Sequence, residues 1–371
     1  MFLNFLFLVN FRLHRSTNLQ FSEGLNYIVG GNGQGKTTIL ESIYYISTTK
    51  SFSANSDSEV VNFEEDYFEV KGKIIDLTEQ MVVIRYNREE NRKHYSLNGK
   101  LVISPQDVIG KFPVVLLSPA DSKITEEAPQ ERRKFIDSII SQISKTYLSD
   151  LLEYKKILKQ RSSLLFQIKE RVTADLYIEL DAWTERLIQI GVQLIRARKS
   201  FINEFNQYVK NVYQQIMNGL EEPEIIYETV AHESDDDLVD AFKQELKNQK
   251  ENEFRRAVNL VGPHRDDLRF LINGKDLRVY GSQGQHKTFQ VALRFAEYFF
   301  LQKKLNKNPF FLLDDIFGEL DKYRSSKISE HLSELGQTFI TLTDFSNLKE
   351  LQKTSRDQIL FIENGELVDA R

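Results

Sequence analysis

At 371 residues the chain exceeds the usual size of a single hydrophobic core, so two domains or one large elaborated domain is expected. Its 41% apolar content supplies a sizeable core, and its lack of cysteine excludes disulfides, thiolate catalysis and zinc–cysteine sites. A net charge of −5 carries no global basic signature, so any nucleic-acid contact must rest on local patches.

The opening run from Met1 to Arg12 is apolar, but it lacks a basic n-region and a small-residue cleavage site and is too short to cross a bilayer. It reads as a buried first strand. No later stretch reaches transmembrane length, so a soluble, cytoplasmic protein with no membrane partner is expected.

Gly24-Leu25-Asn26-Tyr27-Ile28-Val29 reads as a second short strand, followed by Gly30-Gly31-Asn32-Gly33-Gln34-Gly35-Lys36-Thr37. That passage fits the phosphate-loop pattern G-x-x-x-x-G-K-[ST], and Thr38–Tyr45 beyond it has helical apolar spacing. Glycines let backbone N–H groups close around phosphate oxygens, and the helix N-terminus adds partial positive charge. Lys36 is placed to reach the β/γ-phosphates, and the Thr37 hydroxyl to ligate Mg²⁺. The passage points to a bound nucleoside triphosphate.

Strands are predicted at 68–75, 81–86 and 94–97, with Asn98-Gly99 as the hairpin turn into 101–103. Val114-Val115-Leu116-Leu117 has the all-apolar form of a strand buried on both faces. After Ser118-Pro119 the character changes. From about 125 to 256 glycine and proline almost vanish and apolar residues recur at helical spacing, with Glu221-Glu222-Pro223 as an internal break. Strand patterns return at 268–272 and 276–279, joined by Asn273-Gly274-Lys275. A helix over 285–303, a strand at 310–313, a helix near 321–335 and a strand at 338–342 complete the prediction. Sheet-forming sequence thus brackets the helical part, which predicts one head built from both ends of the chain with an arm inserted.

Phe310-Phe311-Leu312-Leu313-Asp314-Asp315 has the form of a Walker B strand, whose carboxylates emerge at the edge where phosphates sit. Asp314 is expected to hold Mg²⁺ and Asp315 to polarise the attacking water. Ser282-Gln283-Gly284-Gln285 resembles the signature motif of ABC-type ATPases, a second phosphate grip at a helix N-terminus, although Ser282 would equally serve as an ordinary N-cap. Gly318-Glu319-Leu320-Asp321 stands where such heads carry a D-loop, and Thr343-Asp344 where many carry a switch histidine, which this chain lacks. The Q-loop role is open among Ser118, Asp121 and neighbours.

Together these elements resemble the RecF family of SMC-like head ATPases over almost the whole chain. The resemblance is carried by Asn10-Phe11-Arg12, Gly24-Leu25-Asn26, Gly30–Thr37, Ser118-Pro119-Ala120-Asp121 and Glu131–Asp137, and above all by Gly262-Pro263-His264-Arg265-Asp266-Asp267-Leu268 leading to Tyr280–Gln285. It implies an α/β, ABC-type (SMC-like head) P-loop ATPase domain with an inserted helical arm domain. The parts are the head over 1–120, the arm over 121–256 and the rest of the head over 257–371. It further implies a weak ATPase that dimerises on ATP, binds DNA at single-strand gaps and duplex junctions, and works with RecR-type and RecO-type mediators in recombinational repair, recombinase loading and replication restart. ATP would lie on Gly30, Gly31, Asn32, Gly33, Gln34, Gly35, Lys36, Thr37, Thr38 and Arg12, with Ser282 and Gly284 supplied by a second copy. Mg²⁺ would sit on Thr37 and Asp314, and Lys36 and Asp315 would serve hydrolysis.

Two basic stretches are candidates for DNA contact: Lys155, Lys156, Lys159, Arg161, Lys169 and Arg171, and the shorter Arg132-Arg133-Lys134. His264 and Arg265 are read as interface or DNA-facing groups. Two rival functions share the phosphate loop. In a transporter's nucleotide-binding subunit about a hundred residues separate loop and signature, whereas here the whole arm lies between Lys36 and Ser282. A defence-associated head ATPase differs mainly in what its arm recognises.

Overall fold

A computed structural model describes residues 1–171, 173–217, 219–229, 238–318, 322–332, 334–343 and 356–371. It divides into two compact units, Met1–Asp121 with Gln290–Arg371, and Ser122–Phe289.

The first unit holds two six-stranded sheets. In the antiparallel one, β1 (Phe2–Phe11), β2 (His14–Gln20), β4 (Tyr67–Ile75), β5 (Glu79–Asn87), β6 (Arg92–Leu97) and β7 (Lys100–Val102) run in the order β2-β1-β4-β5-β6-β7. The opening apolar run is therefore an inner strand. Asn98 and Gly99 take left-handed φ of 52° and 76°, the conformation a tight primed hairpin requires, which is why that dipeptide was a reliable signal. The other sheet orders β15-β14-β3-β13-β12-β8, from β3 (Leu25–Val29), β8 (Val114–Leu117), β12 (Phe310–Asp314), β13 (Thr338–Leu342), β14 (Gln358–Glu363) and β15 (Glu366–Ala370). All neighbours in it are parallel except β14 and β15. Every residue of β3, β8, β12 and β13 is buried, as parallel strands covered on both faces must be.

Helix α1 (Lys36–Thr48) follows β3 directly. Its inward residues Ile39, Leu40, Ile43 and Ile46 enter one core with Leu6, Phe11, Phe68, Ile84, Leu312 and Phe339. Phe11, Tyr45 and Phe68 meet edge to face, with ring centroids 5.2 to 6.1 Å apart, so the base of α1 is set rigidly against the antiparallel sheet. A further helix, α9 (Lys322–Leu332), lies between β12 and β13 in sequence.

The second unit is mostly helical: α2 (Ser122–Glu126), α3 (Pro129–Ile143), α4 (Lys145–Glu170), the 44-residue α5 (Ala174–Met217) and α6 (Leu238–Arg256). It also carries a small sheet in the order β11-β10-β9, from β9 (Pro223–Glu228), β10 (Asp267–Ile272) and β11 (Lys275–Asp276). That sheet accounts for a difference from the expected boundary at 257. Glu224-Ile225-Ile226-Tyr227 lies inside the presumed arm yet pairs with β10, so residues 257–289 stay with the helical unit. Residues 277–279, expected to be strand, instead form the single turn α7 (Leu277–Tyr280), because the Asp276 carboxylate caps the Arg278 N–H at 2.9 Å. Helix α8 (Gln283–Leu305) then carries the chain back into the first unit. Among the described residues no helix is long and apolar enough to cross a membrane.

Candidate functional site

The phosphate loop joins β3 to α1 as its pattern requires. Gly33 and Gly35 take φ of 75° and 100°, a region that side chains disfavour. Gly35 has a second constraint, since a Cβ there would lie 2.8 Å from Nε2 of His14. Gly35 is also the N-cap of α1 and offers no side chain, which leaves the helix N-terminus open to an anion.

The loop is braced from two sides. His14 is completely buried, its Nε2–H donating to the Gly35 carbonyl at 3.0 Å while Nδ1 faces the Thr17 hydroxyl at 3.0 Å. That hydroxyl donates to the Gly365 carbonyl at 2.5 Å. Gly365 N–H in turn donates to the Gln34 carbonyl at 3.0 Å, and Asn364 N–H to Gln34 Oε1 at 2.5 Å. A ring of contacts thus ties the loop to β2 and to the β14–β15 turn. Burial holds the His14 imidazole below its usual pKa, and two backbone carbonyls only partly offset this. Sequence reading missed His14, Thr17 and the turn; the Asn364-Gly365 pair was the available signal.

Lys36 Nζ rests on the Gly31 carbonyl at 2.7 Å. Desolvation lowers its pKa, while Asp315 and Asp314 act against that shift, so both carboxylates are within electrostatic reach of the ammonium. Thr37 Oγ1 donates to Asp314 Oδ1 at 2.8 Å, which brings together residues 277 apart in sequence. The same oxygen accepts from Thr341 Oγ1 at 2.8 Å, so the neighbouring strand β13 fixes the carboxylate's orientation. Asp315 departs from the strand with φ of 49°, its N–H held by Thr341 Oγ1 at 2.9 Å.

A cavity of about 410 Å³ opens over these groups, lined by the loop from Asn32 to Thr38 and by Arg12, Asp314, Asp315 and Thr341. Gly30 and Gly31 stand outside its lining. Gly30 is closely packed, since a Cβ there would lie 2.3 Å from the Ile362 carbonyl. Arg12 sits in the two-residue β1–β2 turn, its guanidinium clamped by Glu41 of α1 and by Ser53 Oγ at 2.7 Å. Phe63, fully exposed, and Asn62 line the same cavity and had no sequence signal.

Among the described residues no cluster of three or more His, Asp or Glu side chains gathers to cage a metal. One hydroxyl and one carboxylate, side by side at a phosphate-sized cavity, are nevertheless the donor set that suits Mg²⁺, which takes few protein oxygens and completes its shell with water and phosphate.

The remaining expected positions lie elsewhere. In the second unit, Ser282 Oγ accepts from Gln285 N–H at 3.2 Å, and Gln285 Oε1 accepts from Ser282 N–H at 2.9 Å. This reciprocal pair is a capping box at the start of α8. Ser282 is exposed and Gly284 half-buried in the first turn. Asp121 is buried and bound by Arg294, so its carboxylate is engaged within the fold. Of the D-loop reading only Gly318 is described; Glu319, Leu320, Asp321 and Asp344 lie outside the described residues.

His264 is half-buried and Arg265 exposed, and both bond to the chain around Asn259. His264 Nε2–H donates to the Asn259 carbonyl at 3.1 Å and Nδ1 meets the Tyr154 hydroxyl at 2.9 Å, while Arg265 closes on the same carbonyl at 2.6 Å. Burial and nearby arginines push His264 down to about 4. Arg132 is spent on Asp267, Arg133 on the Asp266 carbonyl and Lys134 on Glu131, and Arg161 is buried against Glu253, Asn259 and Thr184.

The family described as RecF/RecN/SMC N terminal domain matches residues 2–359. DNA replication and repair protein RecF of Chloroherpeton thalassium is 39% identical over 351 residues, covering 92% of this chain and 95% of that protein. The protein of the same name from Bacillus subtilis is 32% identical, with 99% of this chain and all of the relative covered. A solved structure described as the recombination mediator protein RecF with ATP in the RecFOR pathway superposes with a TM-score of 0.90 at 34% identity, covering all of this chain and 97% of that one. An Smc head bound to the C-winged helix domain of ScpA shares the fold at 17% identity and a TM-score of 0.58. These likenesses decide among the three readings of the sequence: the chain belongs to the RecF family of DNA replication and repair proteins.

Proposed function

We propose that the cavity over Lys36 and Thr37 binds ATP with Mg²⁺, and that ATP occupancy pairs two copies of the chain on DNA during gap repair. The observation that carries this is the 2.8 Å contact between Thr37 and Asp314 beside Lys36, which unites the two halves of a nucleotide site. Loop N–H groups and the α1 N-terminus would take the phosphates, and Lys36 would leave the Gly31 carbonyl for the β/γ-oxygens. Mg²⁺, held by Thr37 and Asp314, would neutralise charge on the transferring phosphate. Arg12, kept rigid by Glu41, would border the nucleotide, and Asp315 would orient the attacking water.

Ser282 and Gly284 of a second copy would close the site, with the α8 N-terminus toward the γ-phosphate. Hydrolysis would be slow and would serve release, and RecR-type and RecO-type mediators would act alongside. Support for DNA repair comes from the relatives' names, and for ATP from the RecF structure solved with it. Sedimentation with and without ATP, in the presence of gapped duplex, tests the whole scheme. Wild type should shift to a dimer that retains DNA, and Lys36→Ala should do neither; DNA retention unchanged by that substitution would remove ATP from the mechanism.

A further inference from the structure

Helix α4 buries one side and leaves a second, very different side to solvent. Leu148, Leu151, Tyr154, Ile157, Leu164, Leu165 and Ile168 face inward. Lys155, Lys156, Lys159, Ser163 and Phe166 recur at intervals of three and four along the opposite face, all exposed or half-buried, with Phe166 59% exposed.

The three lysines are unusual in their company. Lys159 lies one turn from both Lys155 and Lys156, so the pairs repel. Glu153, the acidic neighbour one turn from Lys156, is taken by Arg186 at 2.6 Å. Among the described residues no carboxylate forms an ion pair with any of the three. Charges of opposite sign cover the adjacent helix, where Asp175, Glu179, Asp181 and Glu185 of α5 are exposed. A chain with a net charge of −5 thus concentrates unneutralised positive charge on one helix face. Arg161 does not belong to that face, and of the 132–134 stretch Arg132 and Arg133 are held within the fold while Lys134 pairs with Glu131 at the surface.

We infer that this face of α4 is a contact surface for single-stranded nucleic acid, with Lys155, Lys156 and Lys159 on successive phosphates and Phe166 against a base. The inference rests on the DNA reading above and specifies where that contact lies. From Leu152 to Phe166 the face runs roughly 21 Å at 1.5 Å per residue, room for several phosphates of one extended strand. An exposed phenyl ring adds no affinity for a duplex whose bases are already stacked. It stacks on any unpaired base, which selects a single strand without selecting sequence.

The test uses the full chain and a fluorescent oligothymidylate, titrated with ATP present across a range of salt, with a duplex of equal length as comparison. Substituting Lys155→Gln, Lys156→Gln and Lys159→Gln together should reduce the slope of log affinity against log salt by about 2, because each phosphate contact on a single strand contributes about 0.7. Phe166→Ala should weaken oligothymidylate binding about tenfold while leaving the salt slope and the duplex affinity unchanged. All four side chains project to solvent, and unchanged thermal unfolding of the variants confirms that the fold survives. If the wild type binds DNA and the triple variant keeps its salt slope, the surface is wrong while the DNA reading stands. If the wild type binds neither probe, the DNA reading falls and takes the surface with it.

Discussion

Arg294 closes on Asp121 with both sides of its guanidinium fork, Nε to Oδ2 at 3.0 Å and Nη2 to Oδ1 at 2.6 Å, while Nη1 donates to Glu297 at 2.7 Å. Asp121 is the last residue before the chain leaves the first unit, and Arg294 lies just after it returns at Gln290. The pair therefore staples the exit to the re-entry. Removing the cation strands two buried carboxylates, a change that typically costs about 3–5 kcal/mol. Arg294→Ala should lower unfolding stability by about that amount in a urea titration, and a loss under ~1 kcal/mol would show that the staple is not needed.

His264 gives a pH dependence whose sign follows from its direction of shift. Its folded pKa lies below the unfolded value, down to about 4 from 6.5, so the stabilisation is present above 6.5 and is lost as pH falls toward 4. Over that window the difference is worth about 3 kcal/mol. His264→Gln, which keeps a donor for the Asn259 carbonyl, should flatten this acid limb of the stability curve. An acid limb of equal depth in the variant would place the titrating group elsewhere.

His14 is predicted to matter for nucleotide binding although it lies beneath the loop. His14→Leu removes the donor that holds the Gly35 carbonyl, and losing a buried hydrogen bond costs ~1–3 kcal/mol. Affinity for a fluorescent ATP analogue should fall about tenfold or more, with the described secondary structure intact by circular dichroism. Undiminished affinity would mean that the Gln34 contacts alone brace the loop.

Ser282 has a structural role as well as a proposed one, and the two are separable. Ser282→Asn keeps an N-cap, whereas Ser282→Arg loses the cap and adds bulk at the proposed dimer contact. Both variants should bind ATP like the wild type. With ATP, Ser282→Arg should remain monomeric in sedimentation; dimers formed by that variant would sink the assignment of Ser282 to a neighbour's nucleotide.

What the sequence made legible was local or strongly periodic. The loop was readable because glycine, lysine and threonine at fixed spacing leave few alternative conformations, and β8 and β12 because uninterrupted apolar runs belong in covered parallel strands. Long-range partnership was not readable. Pro223 reads as a helix break, and only pairing with β10 turns Pro223–Glu228 into a strand. A run of basic residues cannot reveal which of them faces inward: Arg161 joins Glu253 in the interior while Lys159, two positions earlier, stays in water. His14 offers no motif, because its importance comes from the loop and hairpin that close around it.

The contact from Asn364 and Gly365 to Gln34 spans 330 residues of sequence. A ribosome adding about 5–20 residues per second makes Gln34 roughly 20 to 60 s before the hairpin that steadies it. Through most of that interval the loop has only the His14 side of its brace and lacks the strands β12 and β13 beside it. Nascent chains should thus be unable to take up nucleotide until the β14–β15 hairpin has been made, which keeps shorter chains from competing for ATP.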